Sequence, residues 1–209
     1  APYVQYVHAR CCGIVDATIS AFAAGGPVLI HDATDREGEV DLVYPAAPVV
    51  PADVARMRND AGGLVCVALS DAICEAWALP FKQELLDHPA GADHELGYDE
   101  RSSFSLTVNH RDTFTGITDE DRALTISELG AAAGRIAREH VVAGDGASEA
   151  IATDAERFAE QFRAPGHVHL LRGAPDLLDD RAGHTELGLP LAEAADVEPA
   201  VVVCEMLDD

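Results

Sequence analysis

Lysine is almost missing from this chain: Lys82 is the only one, and the other thirteen of its 14 basic residues are arginines. Set against 37 acidic residues, that leaves a formal net charge of -23. So acidic a surface repels phosphate backbones, and nucleic acid is excluded as an expected partner. Self-repulsion of this kind is a lever associated with halophiles, so the expected setting is a high-salt cytoplasm that screens and hydrates the carboxylates. Long apolar runs are missing too. No stretch approaches the ~20 residues a membrane-spanning helix needs, and the first residues carry no signal-peptide pattern, so a soluble, cytoplasmic protein is expected. The five cysteines, Cys11, Cys12, Cys66, Cys74 and Cys204, are odd in number and never spaced CxxC. Neither a disulfide framework nor a cysteine zinc site is expected from them. Aromatic residues make up only 5% of a chain that is 48% hydrophobic, so Val, Leu, Ile and Ala must fill the core.

What is present reads as one domain. The 209 residues suit a single core of good size, with no internal repeat. "CGIVDATISAFAAGG" is predicted as an amphipathic helix ended by Gly25 and Gly26, and "PVLIH" and "DLVYPA" as strands. "PADVARMRNDAGG" reads as a helix, "LVCVAL" as a buried strand and "SDAICEAWAL" as a short helix. Residues 80–100 lack periodicity and are expected to form a loop. "SFSLTVN" alternates as a strand, Thr118 marks the start of a helical region, and a break at "GDGASEA" precedes another helix near Arg157. "HVHLL" and "AVVVCEM" are late strands with "GHTELGLPLAEAA" as a helix between them. Interspersed strands and helices predict an α/β or α+β domain, one sheet covered by helices. The chain ends just after "CEMLDD", and no second enzyme domain is expected within it.

Four segments could carry chemistry. "TDREGEVDLVYPA" crowds Asp35, Glu37, Glu39 and Asp41 between two apolar runs. In an extended segment all four would project to one face and Arg36 to the other. Such hard oxygen ligands suit Mg²⁺ or Mn²⁺; a solvated acidic loop is the plainer alternative. "RAGHTE" offers Arg181 as a forked donor, Gly183 for close approach, His184 as a metal-binding nitrogen and Thr185 as a helix cap, an arrangement that suits an anion. An ordinary capped turn would read the same way. In "FRAPGHVHLLRG", Arg163, Pro165, Gly166 and His167 suggest a turn into a strand, with His167 and His169 on one side of it. Glu205, closing "AVVVCE", is a candidate desolvated acid or base, and Cys66 reads as a core thiol.

Taken in order, "DREGEVDLV", "GGLVCVAL", "SSFSLTVNHRDTFTGITDEDRALTI", "FRAPGHVHLLR", "GHTE" and "EPAVVVCEM" closely resemble 3,4-dihydroxy-2-butanone 4-phosphate synthase of riboflavin biosynthesis, with "REGE" and "NHRDTFTGIT" most like its archaeal members. The resemblance implies an α+β homodimer that converts D-ribulose 5-phosphate to L-3,4-dihydroxy-2-butanone 4-phosphate plus formate, using Mg²⁺ or Mn²⁺. It implies Glu37 and His184 as metal ligands. Arg36, Asp41, Thr115, Arg181, Gly183 and Thr185 would surround the sugar phosphate, with Cys66 lining the site. His167 and Glu205 would act in catalysis, as would Asp41 by shuttling protons while Glu39 assists through water. The site would lie at the dimer interface, with His167 supplied across it. Pro190 departs from a regular helix after "GHTE", where it should kink or shorten it. Two rivals remain: another metal-dependent sugar-phosphate isomerase or aldolase, and a non-catalytic acidic binding protein.

Overall fold

The computed structural model describes residues 2–32, 36–91, 101–143 and 147–207, without the side chains of 2–12, 90, 140–143 and 147–152. In chain order the elements are α1 (Pro2–Ala23), β1 (Val28–His31), β2 (Val40–Pro45), α2 (Pro51–Asp60), β3 (Cys66–Leu69), α3 (Asp71–Ala76), β4 (Phe104–His110), α4 (Asp119–Ala143), α5 (Ala147–Gln161), β5 (Phe162–Arg172), α6 (His184–Ala194) and β6 (Ala200–Met206). Six strands form one sheet in the order β1-β2-β6-β3-β5-β4. Only β3 and β5 run parallel; every other neighbouring pair is antiparallel. This mixed sheet with helices on both faces is the α+β architecture expected from the interspersed elements.

The two faces follow from the period of two along each strand. Leu42, Tyr44, Val67, Leu69, Val202 and Cys204 point into a core shared with Val54, Met57, Ile126 and Leu129 of α2 and α4. Val43, Cys66, Ala68, Val201 and Val203 point the other way, against Phe22 of α1 and Ala192 of α6. Because β6 is covered on both sides, it reads as the unbroken apolar run "AVVVC".

Several local expectations are corrected. Residues 82–85 and 89–91 are short 3₁₀ turns within the expected loop, while 92–100 lie outside the described residues; of the expected break "GDGASEA", 144–146 also lie outside them and 147–150 already belong to α5. The "FRAPGH" turn lies inside β5: Val108 pairs with Val168 but Asn109 pairs with Arg163, so residues 164–167 bulge out of the ladder. The bulge accommodates Pro165, which has no N–H to offer a partner. Pro190 does not shorten α6, which runs on to Ala194. Thr185 is not the cap of that helix. Gly183 holds the N-cap position, with its carbonyl accepting from Leu187 N at 2.9 Å.

Candidate active site

At the start of α6 a cavity opens over one face of the sheet, and most of the side chains that line it are polar. Asp41 and Glu205 are directly opposed across β2 and β6, and Cys66 opposes Val203 on β3. By parity all three share the face on which α6 packs. They form the floor of a cavity of about 600 Å³, walled by Arg36, Glu37 and Glu39 from the loop before β2 and by Arg181, Gly183, His184 and Thr185 at the start of α6. Of the residues singled out from sequence, nine that the resemblance assigns to the site meet here: Arg36, Glu37, Asp41, Cys66, Arg181, Gly183, His184, Thr185 and Glu205.

The loop differs from the extended segment that alternation predicts. Arg36 and Glu37 form a turn and Gly38 takes a φ of +69°, a backbone conformation that favours glycine. Arg36 therefore lines the cavity together with the acids instead of facing away from them. Asp35 lies outside the described residues. The residue holding this turn is Asp32, which the sequence reading missed. Its buried carboxylate accepts from Glu37 N at 3.2 Å and Glu39 N at 3.0 Å, and Arg36 Nε lies 3.8 Å away. Burial works to raise the Asp32 carboxyl, but the amide hydrogen bonds outweigh it and hold the group below the usual range. Side-chain reach to amides five and seven residues ahead leaves no periodic trace in sequence. The only available signal was an aspartate directly after a short apolar strand.

His184 is 7% exposed, and its Nε2 lies 3.2 Å from the Glu39 carbonyl oxygen. A carbonyl only accepts, so Nε2 carries the proton in neutral imidazole and Nδ1 keeps a lone pair. That Nδ1 lies 3.7 Å from both Glu37 Oε2 and Asp41 Oδ1. Asp32, Glu37 and His184 each bring a ligand atom within 4.8 Å of the others. Asp41 Oδ1 is buried and has no hydrogen-bond partner. Hard oxygens, an imidazole lone pair and an unpaired buried carboxylate oxygen form a donor set that fits one divalent cation.

Crowding and burial perturb the acids. Burial, with the charges of Glu37, Glu39 and Asp32 adding to it against His184, pushes Asp41 up to about 6. A hydrogen bond shared with Glu205, then burial, raises Glu39. Burial also pushes the Cys66 thiol up to about 12, so it is a neutral wall of the cavity and not a nucleophile. The Asp41 shift has a thermodynamic consequence. Its folded-state value lies above the unfolded one, so the stability it contributes is full below about 4 and lost as pH rises through about 6. From 3.8 to about 6 the loss amounts to about 3 kcal/mol in metal-free protein. Asp41→Asn is therefore expected to raise the melting temperature at pH 8 with chelator present and to leave it nearly unchanged at pH 4. Equal shifts at both pH values would contradict this.

At the other end of the cavity, Arg181 Nη1 donates to Glu186 Oε2 at 3.2 Å and also to Ser103 Oγ. The first turn of α6 lines the same space, and a helix start carries N–H groups without partners in the helix. A forked cation beside a helix start is suited to a phosphate group.

Thr115 and His167 do not line this cavity. Thr115 N and Oγ1 both donate to the Asp121 carboxylate, at 3.1 and 3.2 Å. His167 N donates to Asn109 Oδ1 at 2.8 Å, and Gly116 packs against the same Asn109 side chain. Thr115 and His167 are thus exposed residues of a second cluster, built around the buried Asn109 and the Asp121 carboxylate. His169, the second histidine of that strand, is half-buried against the Phe104 ring and does not line this cavity.

Residues 16–209 match the family model for 3,4-dihydroxy-2-butanone 4-phosphate synthase. The chain belongs to this family. The synthase of Archaeoglobus fulgidus is 46% identical over 203 residues, covering 92% of this chain and 79% of that protein. The synthase of Methanosarcina mazei is 45% identical over 205 residues, covering 93% and 77%. A crystal structure of a 3,4-dihydroxy-2-butanone 4-phosphate synthase in complex with two magnesium ions is 29% identical and superposes with a TM-score of 0.70, over 93% of this chain and 76% of that one. Among the described residues no helix is long and apolar enough to cross a membrane.

Proposed function

We propose that this chain is a divalent-metal-dependent lyase that converts D-ribulose 5-phosphate to L-3,4-dihydroxy-2-butanone 4-phosphate and formate. The observation that carries the reading is the cavity in which the acidic loop, His184 and Arg181 converge, in a chain of this family. Glu37 and His184 Nδ1 would hold Mg²⁺, or Mn²⁺ as another oxygen-preferring divalent cation. When bound, the ion supplies Lewis acidity at the ketone and counter-charge for the crowded carboxylates.

The protein's own groups do the rest. Arg181, with Gly183 and Thr185 at the start of α6, holds the phosphate as a remote handle that orients the sugar, and Arg36 lines the same wall. Asp41, whose carboxyl burial raises in the metal-free protein, is the buried acid placed to take and return a proton. Glu205 stands opposite it across the β2–β6 ladder and serves as a second acid or base, with Glu39 assisting through water. His167 and Thr115 are supplied by the partner in a homodimer whose site lies at the interface. Supporting this, the two residues cluster away from the cavity, and Phe114 beside Thr115 is 93% exposed, an apolar side chain that a second copy would cover. The catalytic domain spans residues 1–209 and works without nucleic acid, in a salt-rich cytoplasm.

Purified protein incubated with ribulose 5-phosphate is expected to release formate, to stop when a chelator is added and to resume with excess Mg²⁺. An isomerase or aldolase would consume the sugar without formate, and a binding protein would leave it intact. Either result would remove the proposal.

A further inference from the structure

Glu186 has no place in the chemistry above, yet it is among the most deeply buried groups in the protein, with 0% of its surface exposed. A carboxylate without water must be compensated, and each of its oxygens has partners. Oε1 accepts from Ala174 N at 3.1 Å, and both oxygens lie within 3.4 Å of Arg181 Nη1. Ser103 Oγ accepts from the same Nη1. A Cβ on Gly183 would sit 3.1 Å from Glu186 Oε2, 3.2 Å from Arg36 Nη2 and 3.4 Å from Arg181 Cζ. Glu186 and two arginines therefore close over the bare backbone at the start of α6.

We infer that Glu186 is a positioning residue that tethers the Arg181 guanidinium against the start of α6, so that a phosphate group meets a fork already in place. A free arginine side chain has rotamer entropy to lose on binding a ligand. A tether buried behind it removes most of that loss before the ligand arrives. A purely structural Glu186, joining α6 to the Ala174 turn, would affect stability and leave anion binding alone. The inference rests on the proposed reading of this wall as the phosphate end of the site.

The test uses inorganic phosphate, titrated calorimetrically onto the Mg²⁺-loaded protein and, separately, as an inhibitor of formate release. Glu186→Leu is expected to raise the phosphate Kd and the KM for ribulose 5-phosphate about 10-fold, with kcat within about 3-fold. Glu186→Gln keeps an acceptor for the guanidinium and is expected to restore both to within about 3-fold of wild type. In an Arg181→Lys background the Leu substitution is expected to add less than about 2-fold, because the tethered group is gone. Should Glu186→Leu not fold, Glu186→Asp keeps the charge but withdraws it, and is expected to raise Kd about 5-fold. An unchanged Kd in the folded variant, an equal effect in both backgrounds, or no phosphate binding by the wild type overturns the tether. A wild type that binds phosphate through the Arg181–Glu186 pair but releases no formate overturns the reaction instead and leaves the tether standing.

Discussion

Glu37→Gln and His184→Ala are each expected to lower formate release at least about 10³-fold and to weaken Mg²⁺ binding measured by calorimetry. Each native side chain supplies a donor suited to one divalent cation. Glu37 Oε2 and His184 Nδ1 stand 3.7 Å apart, and the Glu39 carbonyl fixes the imidazole with its lone pair toward the acids. Glu37→Gln keeps size and shape while removing the charge that binds a hard ion. His184→Ala removes the only imidazole that the described residues bring to the cavity wall. Near-normal turnover in either variant, or unchanged Mg²⁺ affinity, would withdraw the ligand assignment. The melts that follow Asp41, repeated in low and molar KCl, test the salt-rich setting, and equal stability in both would count against it.

A second large effect concerns His167. Alone, His167→Ala is expected to lose formate release by about 10² to 10⁴-fold, as for removal of an acid–base group. Mixed with inactive Glu37→Gln and allowed to exchange subunits, it is expected to regain activity. A mixed dimer would pair the intact cavity of one chain with the intact His167 of the other. Random exchange then restores about a quarter of the wild-type sites. Mixing that restores nothing, although exchange is shown with a mass-tagged subunit, would place His167 and the cavity in the same chain.

Much of this architecture was legible because burial leaves a pattern. "AVVVCEM" and "LVCVAL" read as strands since both faces of β6 and β3 are covered, and neither needs a polar side. Glu205 stood out as the first charge after such a run. His184 and Arg181 were found because their spacing brackets a helix start. The errors fall where tertiary contacts override local pattern. Period-two alternation assigned Arg36 and the acids to opposite faces, and the turn closed by Asp32 placed them on one. Thr185 was expected to cap because threonine commonly does so. The helix is capped two residues earlier, at Gly183, where glycine admits Glu186 and two arginines. The β5 bulge looked like an ordinary turn, since only pairing with β4 reveals a strand on both sides of Pro165. Glu186 itself carried no signal. In sequence it is one more acid among 37, and only its lack of exposure separates it from the solvated rest.

The facing of Asp41 and Glu205 on paired strands means that their separation is set by the weave of the backbone and not by any adjustable arm. Sliding β6 by one residue would swap Glu205 for its neighbours Cys204 or Met206 and drive an acid into the layer beneath α4. Folding error and loss of chemistry are thus one event here. Anyone re-engineering this scaffold would have to move both acids as a unit, carrying the ladder along with them.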